Sequence, residues 1–253
     1  MGLLHEDPHM KTFLTNPMKN TLNTRTKRQG FTLIELLVVI AIIAALASVS
    51  YGPILNQLNK GDQNMALQNM KQIGVGLSDF SNDYGAYPDD ETAALIQERQ
   101  PDLNYGPMTG EYSNDYLRQL FTKMDSEKNF YCKLQGEMGR THEPDEKIAN
   151  GKGLTKGECG FAYVMKANKT GLPVPDTRTP VLMTPVFEVG ATGDDVTFDF
   201  DSFRGNAFVL LLDQSVNRKT VDETGSKIPG LFPENKRKGT STGEKFIVLA
   251  PEL

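Results

Sequence analysis

The chain has no tryptophan, and only two of its 253 residues are cysteine and three histidine. Those shortages remove several kinds of chemistry. His5 and His9 lie among the first 30 residues, so His142 is the sole imidazole beyond them, in a charged stretch. There is no HExxH, no G-x-S-x-G and no cysteine–histidine spacing suited to nucleophilic attack. Cys132 and Cys159 lack a CxxC partner and a histidine at ligand spacing, which argues against zinc. Dense positive charge is also missing beyond the start. Lys236-Arg237-Lys238 is the exception, inside a Gly/Ser/Thr-flanked stretch, so no nucleic-acid partner is expected. Gly74-Val75-Gly76 lacks the preceding strand of a dinucleotide fingerprint. The chain reads as a non-enzyme with no required cofactor.

What the chain does have is concentrated in residues 27–49, KRQGFTLIELLVVIAIIAALASV. A basic, glycine-ended stretch meets an apolar run from Phe31 to Val49, interrupted once by Glu35. The run is about 19 residues, roughly 28 Å of helix, which is close to the hydrocarbon thickness of a bilayer. A carboxylate in that setting costs roughly 2.5–3.5 kcal/mol at mid-depth and less near the interface. It needs a positive partner, and another copy of the chain is the best source. The first 30 residues hold five basic and two acidic side chains, a balance of +3. That leaves −8 for the remainder of a chain whose net charge is −5. Basic before the helix and acidic after it predicts a cytoplasmic N-terminus, a single pass through the inner membrane and an extracytoplasmic domain. The run is too long for an ordinary secretory signal and has no A-x-A-like site behind it.

Gly30, Phe31, Thr32, Leu33, Ile34 and Glu35, followed by LLVVIAIIAALA, resemble the cleavage and methylation motif of type IV pilins and type II secretion pseudopilins. The resemblance implies cleavage by a prepilin peptidase between Gly30 and Phe31, N-methylation of Phe31, and a role for Glu35 in filament assembly. It also implies other pilin-like subunits and an inner-membrane platform as partners. The chemistry is consistent with this. Glycine offers no side chain to obstruct a protease. The new α-amino group is cationic below ~7.7–8.0, and beside a neighbour's Glu35 it would offset part of the desolvation of both charges and set axial register. Translation from Met10 or Met18 rather than Met1 would shorten a long leader.

The domain division that follows is a leader at 1–30, a transmembrane helix half at 31–52, an amphipathic periplasmic half at 53–84 and a globular domain at 85–253. Pro53, after Gly52, should kink the helix or loosen its hydrogen bonding. Ala66, Met70, Ile73, Leu77, Phe80 and Tyr84 recur at alternating spacings of 4 and 3 and mark the core-facing stripe. Gln63, Asn64, Gln68, Lys71 and Asp79 mark the wet face. Gly85-Ala86-Tyr87-Pro88 is similar to the G-x-Y-P loop behind the long helix of many pseudopilins; glycine permits a left-handed stop and proline prevents the helix resuming. Helices are expected over Thr92–Gln100 and from Ser113 or Asn114 to about Met124. Strands are expected over Gly160–Met165, Val181–Val189, Val196–Phe200, Ala207–Leu212 (central) and Lys245–Leu249, with a short strand beginning near Val216. Residues 205–216 resemble the last strand pair of large pilin-like proteins, with Gln214 in place of the usual glycine. Residues 135–157 and 217–243 read as exposed loops. The fold class is α+β and pilin-like, a long helix packed on an antiparallel sheet.

Two further candidates sit in the domain. Cys132 and Cys159 would bond outside the cytoplasm and stabilise by roughly 3–4 kcal/mol, the alternative being two separate buried thiols. Asp194, Asp195, Asp199 and Asp201 offer oxygen ligands suited to calcium; alternation along a strand would equally leave them on its wet face. The function expected is a structural subunit of a type II secretion pseudopilus or related filament. The rivals are a minor pilin for a type IV pilus or DNA uptake, and an uncleaved membrane-anchored extracytoplasmic module binding a surface ligand through loops 135–157 and 217–243.

Overall fold

A computed structural model describes residues 30–134, 140–166, 168–172, 178–189, 196–224, 226–232 and 246–253. The chain divides into two compact units, one ending at Tyr51 and the other spanning Gly52–Leu253.

Helix α1 covers Leu33–Tyr84 and carries through Pro53 without ending. Its first half buries nothing. In its second half Ala66, Met70, Ile73, Leu77 and Phe80 are all fully buried, and Tyr84 packs beside them against Phe80. The stripe expected from spacing is the one the fold uses. Gln63 departs from the expected wet face: it is half-buried and its amide donates to the Phe203 carbonyl at 3.0 Å. The helix stops at Gly85, whose φ of 81° is the left-handed conformation expected there.

The main sheet is antiparallel, in the order β6-β5-β2-β1-β7, from strands β1 (Ala162–Lys166), β2 (Pro180–Thr184), β5 (Asn206–Leu211), β6 (Val216–Thr220) and β7 (Phe246–Leu249). A separate two-stranded sheet pairs β3 (Val186–Val189) with β4 (Val196–Phe198). The single strand expected over Val181–Val189 is therefore two strands in different sheets. Pro185 lies between them and has no N–H to continue a ladder. Strand β5 is interior, though β2 holds the centre. Residues 217–220, expected as loop, complete β6.

Two glycines in α1 let it approach its neighbours. A Cβ on Gly74 would meet the Gln214 side-chain oxygen and both Leu210 methyls, and one on Gly76 would meet the Met124 sulfur. The G-V-G run is thus a packing feature. Gln214, in the turn between β5 and β6, sits at φ 66°, so the glycine-like backbone is kept without glycine. Its amide donates to the Tyr87 hydroxyl at 3.2 Å, a contact that only a side chain can make.

Along the chain, α1 is followed before β1 by α2 (Asp90–Arg99), α3 (Ser113–Leu117) and the 3-10 turns η1 (Arg118–Thr122) and η2 (Glu127–Phe130). Asp89 caps α2 through Thr92 N, and Thr92 returns a bond to Asp89 N. The helix expected from Ser113 or Asn114 to Met124 is instead a short α-turn running into η1, and neither residue caps it. Ser113 Oγ donates to the Phe161 carbonyl at 2.6 Å and Asn114 Nδ2 to the Leu154 carbonyl at 3.1 Å. Asp115 accepts from Tyr112 N at 3.1 Å in their place.

Within the expected loop 135–157, most of residues 140–152 are exposed as expected, while Gly153, Leu154 and Gly157 are drawn into the core. Leu154 is fully buried. Arg118, itself buried, is paired with Asp115 and donates to the carbonyls of Gly153, Leu154 and Pro107. A buried guanidinium with every branch occupied ties η1 to this loop and compensates its own desolvation. Residues 135–139 and 233–243 lie outside the described part of the chain.

Candidate functional site

The amino-terminal segment is built on a helix start. Thr32 precedes α1, and Glu35 is its third residue. Glu35 Oε2 accepts from Thr32 N at 2.8 Å and from Thr32 Oγ1 at 2.9 Å, while Thr32 Oγ1 accepts from Glu35 N at 3.2 Å. This reciprocal pair is a capping box, and the carboxylate also lies where the helix dipole favours negative charge. Among the described residues both bonds to the carboxylate use Oε2. The role of Thr32 is the one missed in the sequence reading, although T-x-x-E before an apolar run was there to be read in Thr32-Leu33-Ile34-Glu35.

Around that polar start the surface is apolar. Phe31 is 82% exposed and Leu33 88%, and every large side chain from Ile34 to Val49 is exposed. Isolated exposed leucines are ordinary, but a helix apolar on all sides with no covering is not. Among the described residues α1 is the one helix long and apolar enough to cross a membrane. Gly30 has open space around its Cα, with nothing within 4 Å of where a Cβ would be.

The other candidates fall elsewhere. Cys132 and Cys159 are both buried and both free thiols, where the sequence reading favoured a disulfide. Each sulfur has its own polar neighbours: Cys132 the Gly160 carbonyl and the Thr184 hydroxyl, both at 3.2 Å, and Cys159 the Phe161 carbonyl at 3.6 Å. Burial pushes the Cys132 thiol up strongly and that of Cys159 up to about 11, so neither is poised as a nucleophile. Asp194 and Asp195 lie outside the described residues. Asp199 is occupied by its own turn, accepting from Asp201 N, Ser202 N and Ser202 Oγ, and Asp201 is exposed.

Residues 25–51 match the prokaryotic N-terminal methylation motif. The chain is similar to a type II secretion system core protein G from Klebsiella michiganensis, 30% identical over 100 residues, which is 38% of this chain and 67% of the relative. It is also similar to a type II secretion system core protein G from Pseudomonas aeruginosa, 28% identical over 97 residues, again 38% and 67%. No solved structure matches it.

Proposed function

This chain belongs to the type II secretion pseudopilins, and from that membership we propose that it is cut between Gly30 and Phe31, methylated on Phe31 and added to a growing filament through Glu35. It is a structural subunit of a pseudopilus, held to the membrane by one apolar helix and assembled with other pilin-like subunits. The cutting enzyme would be a prepilin peptidase, and the assembly machinery an inner-membrane platform. The basic residues before the helix support a cytoplasmic N-terminus and an extracytoplasmic domain.

The observation that carries the reading is the polar start of an otherwise bare apolar helix. Glu35 is held by Thr32 and stays available from one side, at the point where cutting would place a new ammonium on residue 31. In hydrocarbon an ammonium from an adjacent subunit would find no better acceptor. The pair sets register along the filament more than it adds net stability, because both charges arrive from polar surroundings. Pro53 has no N–H to give the preceding turn, so we place a loosened helix there, one that would let subunits settle against each other.

Mass spectrometry of the mature protein tests the proposal. The expected N-terminal peptide begins at Phe31 and carries one added methyl group. A peptide beginning upstream, or an unmodified Phe31, refutes it.

A further inference from the structure

Inside the folded unit, three carboxylates that are far apart in the chain come together. Glu127 opens η2, and Asp145 and Glu158 come from the irregular segment between η2 and β1. One oxygen from each lies within 4.8 Å of the other two. Glu127 is fully buried and Glu158 is 2% exposed, while Asp145 reaches solvent.

The hydrogen bonds do not account for this cluster. Glu127 Oε1 accepts from Leu154 N at 2.8 Å, but among the described residues its buried Oε2 has no hydrogen-bond partner. Glu158 accepts from Thr155 N, Thr155 Oγ1 and Asp145 N. Asp145 accepts from Lys147, through its backbone N–H at 3.0 Å and its Nζ at 2.6 Å. Lys147 is exposed, and its ion pair is with Asp145, the outermost of the three carboxylates. A buried carboxylate oxygen without a donor is among the more expensive arrangements in a folded protein.

We propose that Glu127, Asp145 and Glu158 form a calcium site that fastens the segment from 140 to 159 onto η2. Three oxygens within 4.8 Å of one another lie at most about 2.8 Å from a common point, so a small side-chain movement brings all three to a calcium ion at about 2.4 Å. The donors are all hard oxygens, which excludes copper and disfavours zinc. The mixture of one exposed and two buried acids suits calcium, which accepts irregular coordination and completes its shell with water. Asp145 provides the approach from solvent, and Lys147 swings clear when the ion arrives. Oε2 of Glu127 gains the partner it lacks. The segment has no regular secondary structure, so a cross-link from Glu127 to Asp145 and Glu158 adds order where backbone ladders do not. None of these three acids belongs to the acidic run at 194–201.

The test uses the full chain in detergent, stripped with a chelator, with thermal unfolding followed by circular dichroism. Calcium at about 1 mM should raise the Tm of the wild type, and magnesium should raise it clearly less. At 100 times the dissociation constant the folded-to-unfolded ratio increases roughly 100-fold. Glu127→Gln should be at least as stable as the wild type in chelator, since an amide replaces an uncompensated carboxylate, yet gain nothing from calcium. Asp145→Asn, at an exposed position, should fold normally and lose most of the calcium response. A wild-type Tm indifferent to calcium at about 10 mM overturns the proposal, as does an equal shift with magnesium. So does a full calcium response in both variants.

Discussion

The two halves of α1 share one backbone helix and differ in everything around it. Up to Tyr51 the side chains are apolar on every side and none is buried. From Ala66 onward one apolar stripe, Ala66, Met70, Ile73, Leu77 and Phe80, is fully covered, while Ile54, Leu58, Met65 and Val75 stay exposed. A helix apolar all round has no preferred face, so its surroundings must be apolar all round as well, lipid or other helices. A helix apolar on one face finds its covering within its own chain. The first half is thus specified for a surrounding that the chain does not supply, and the second for one that it does.

The comparison can be broken most severely at Glu35, the single charge in the bare half. Glu35→Val should leave the folded unit and N-terminal processing intact and abolish most incorporation into filaments, read as the ratio of sheared to cell-associated protein. Wild-type incorporation would remove the pairing argument. Next comes a matched pair of truncations, one in each half. Phe80→Ala should destabilise the folded unit by about 3–5 kcal/mol in denaturant unfolding, because it opens a cavity in the core. Leu46→Ala should leave that unfolding unchanged, since Leu46 touches no core.

A smaller effect is expected at the helix start. Thr32→Ala removes the hydroxyl of the capping box and should cost about 1 kcal/mol in the first turn, visible as faster amide hydrogen exchange at Glu35 and Leu36. The last prediction concerns the contrast between exposed and sealed surface. Cys132 and Cys159 should resist thiol reagents in the native protein at neutral pH and both react after unfolding without reductant. Two reactive thiols would distinguish buried cysteines from the disulfide that the compartment suggests; none would favour the disulfide.

Much of this was legible in the chain. The apolar run, its basic flank, Glu35 and the 4-and-3 stripe from Ala66 to Tyr84 depend on spacing along a single helix, and spacing is what a sequence records directly. Gly85 ends the helix as expected for the same reason: its requirement is local. The break at Pro185 was local and legible in the residue itself. The caps assigned to Ser113 and Asn114, and the burial of Leu154 within its loop, turned on partners distant in the chain. Ser113 is claimed by Phe161, Asn114 by Leu154, and the loop by Arg118.

The sequence by itself determined that one long helix would carry the apolar run of bilayer length, which stripe of its second half would face the core, and where it would stop. Each of these depends on the order and period of neighbouring residues. Only the tertiary structure decided that Gln214 would hold a glycine-like turn against Gly74, that Arg118 would bind three carbonyls, and that Glu127, Asp145 and Glu158 would meet in one cluster. Hydrogen bonds and charge clusters of that kind join residues whose separation along the chain carries no period, so nothing in their spacing announces them.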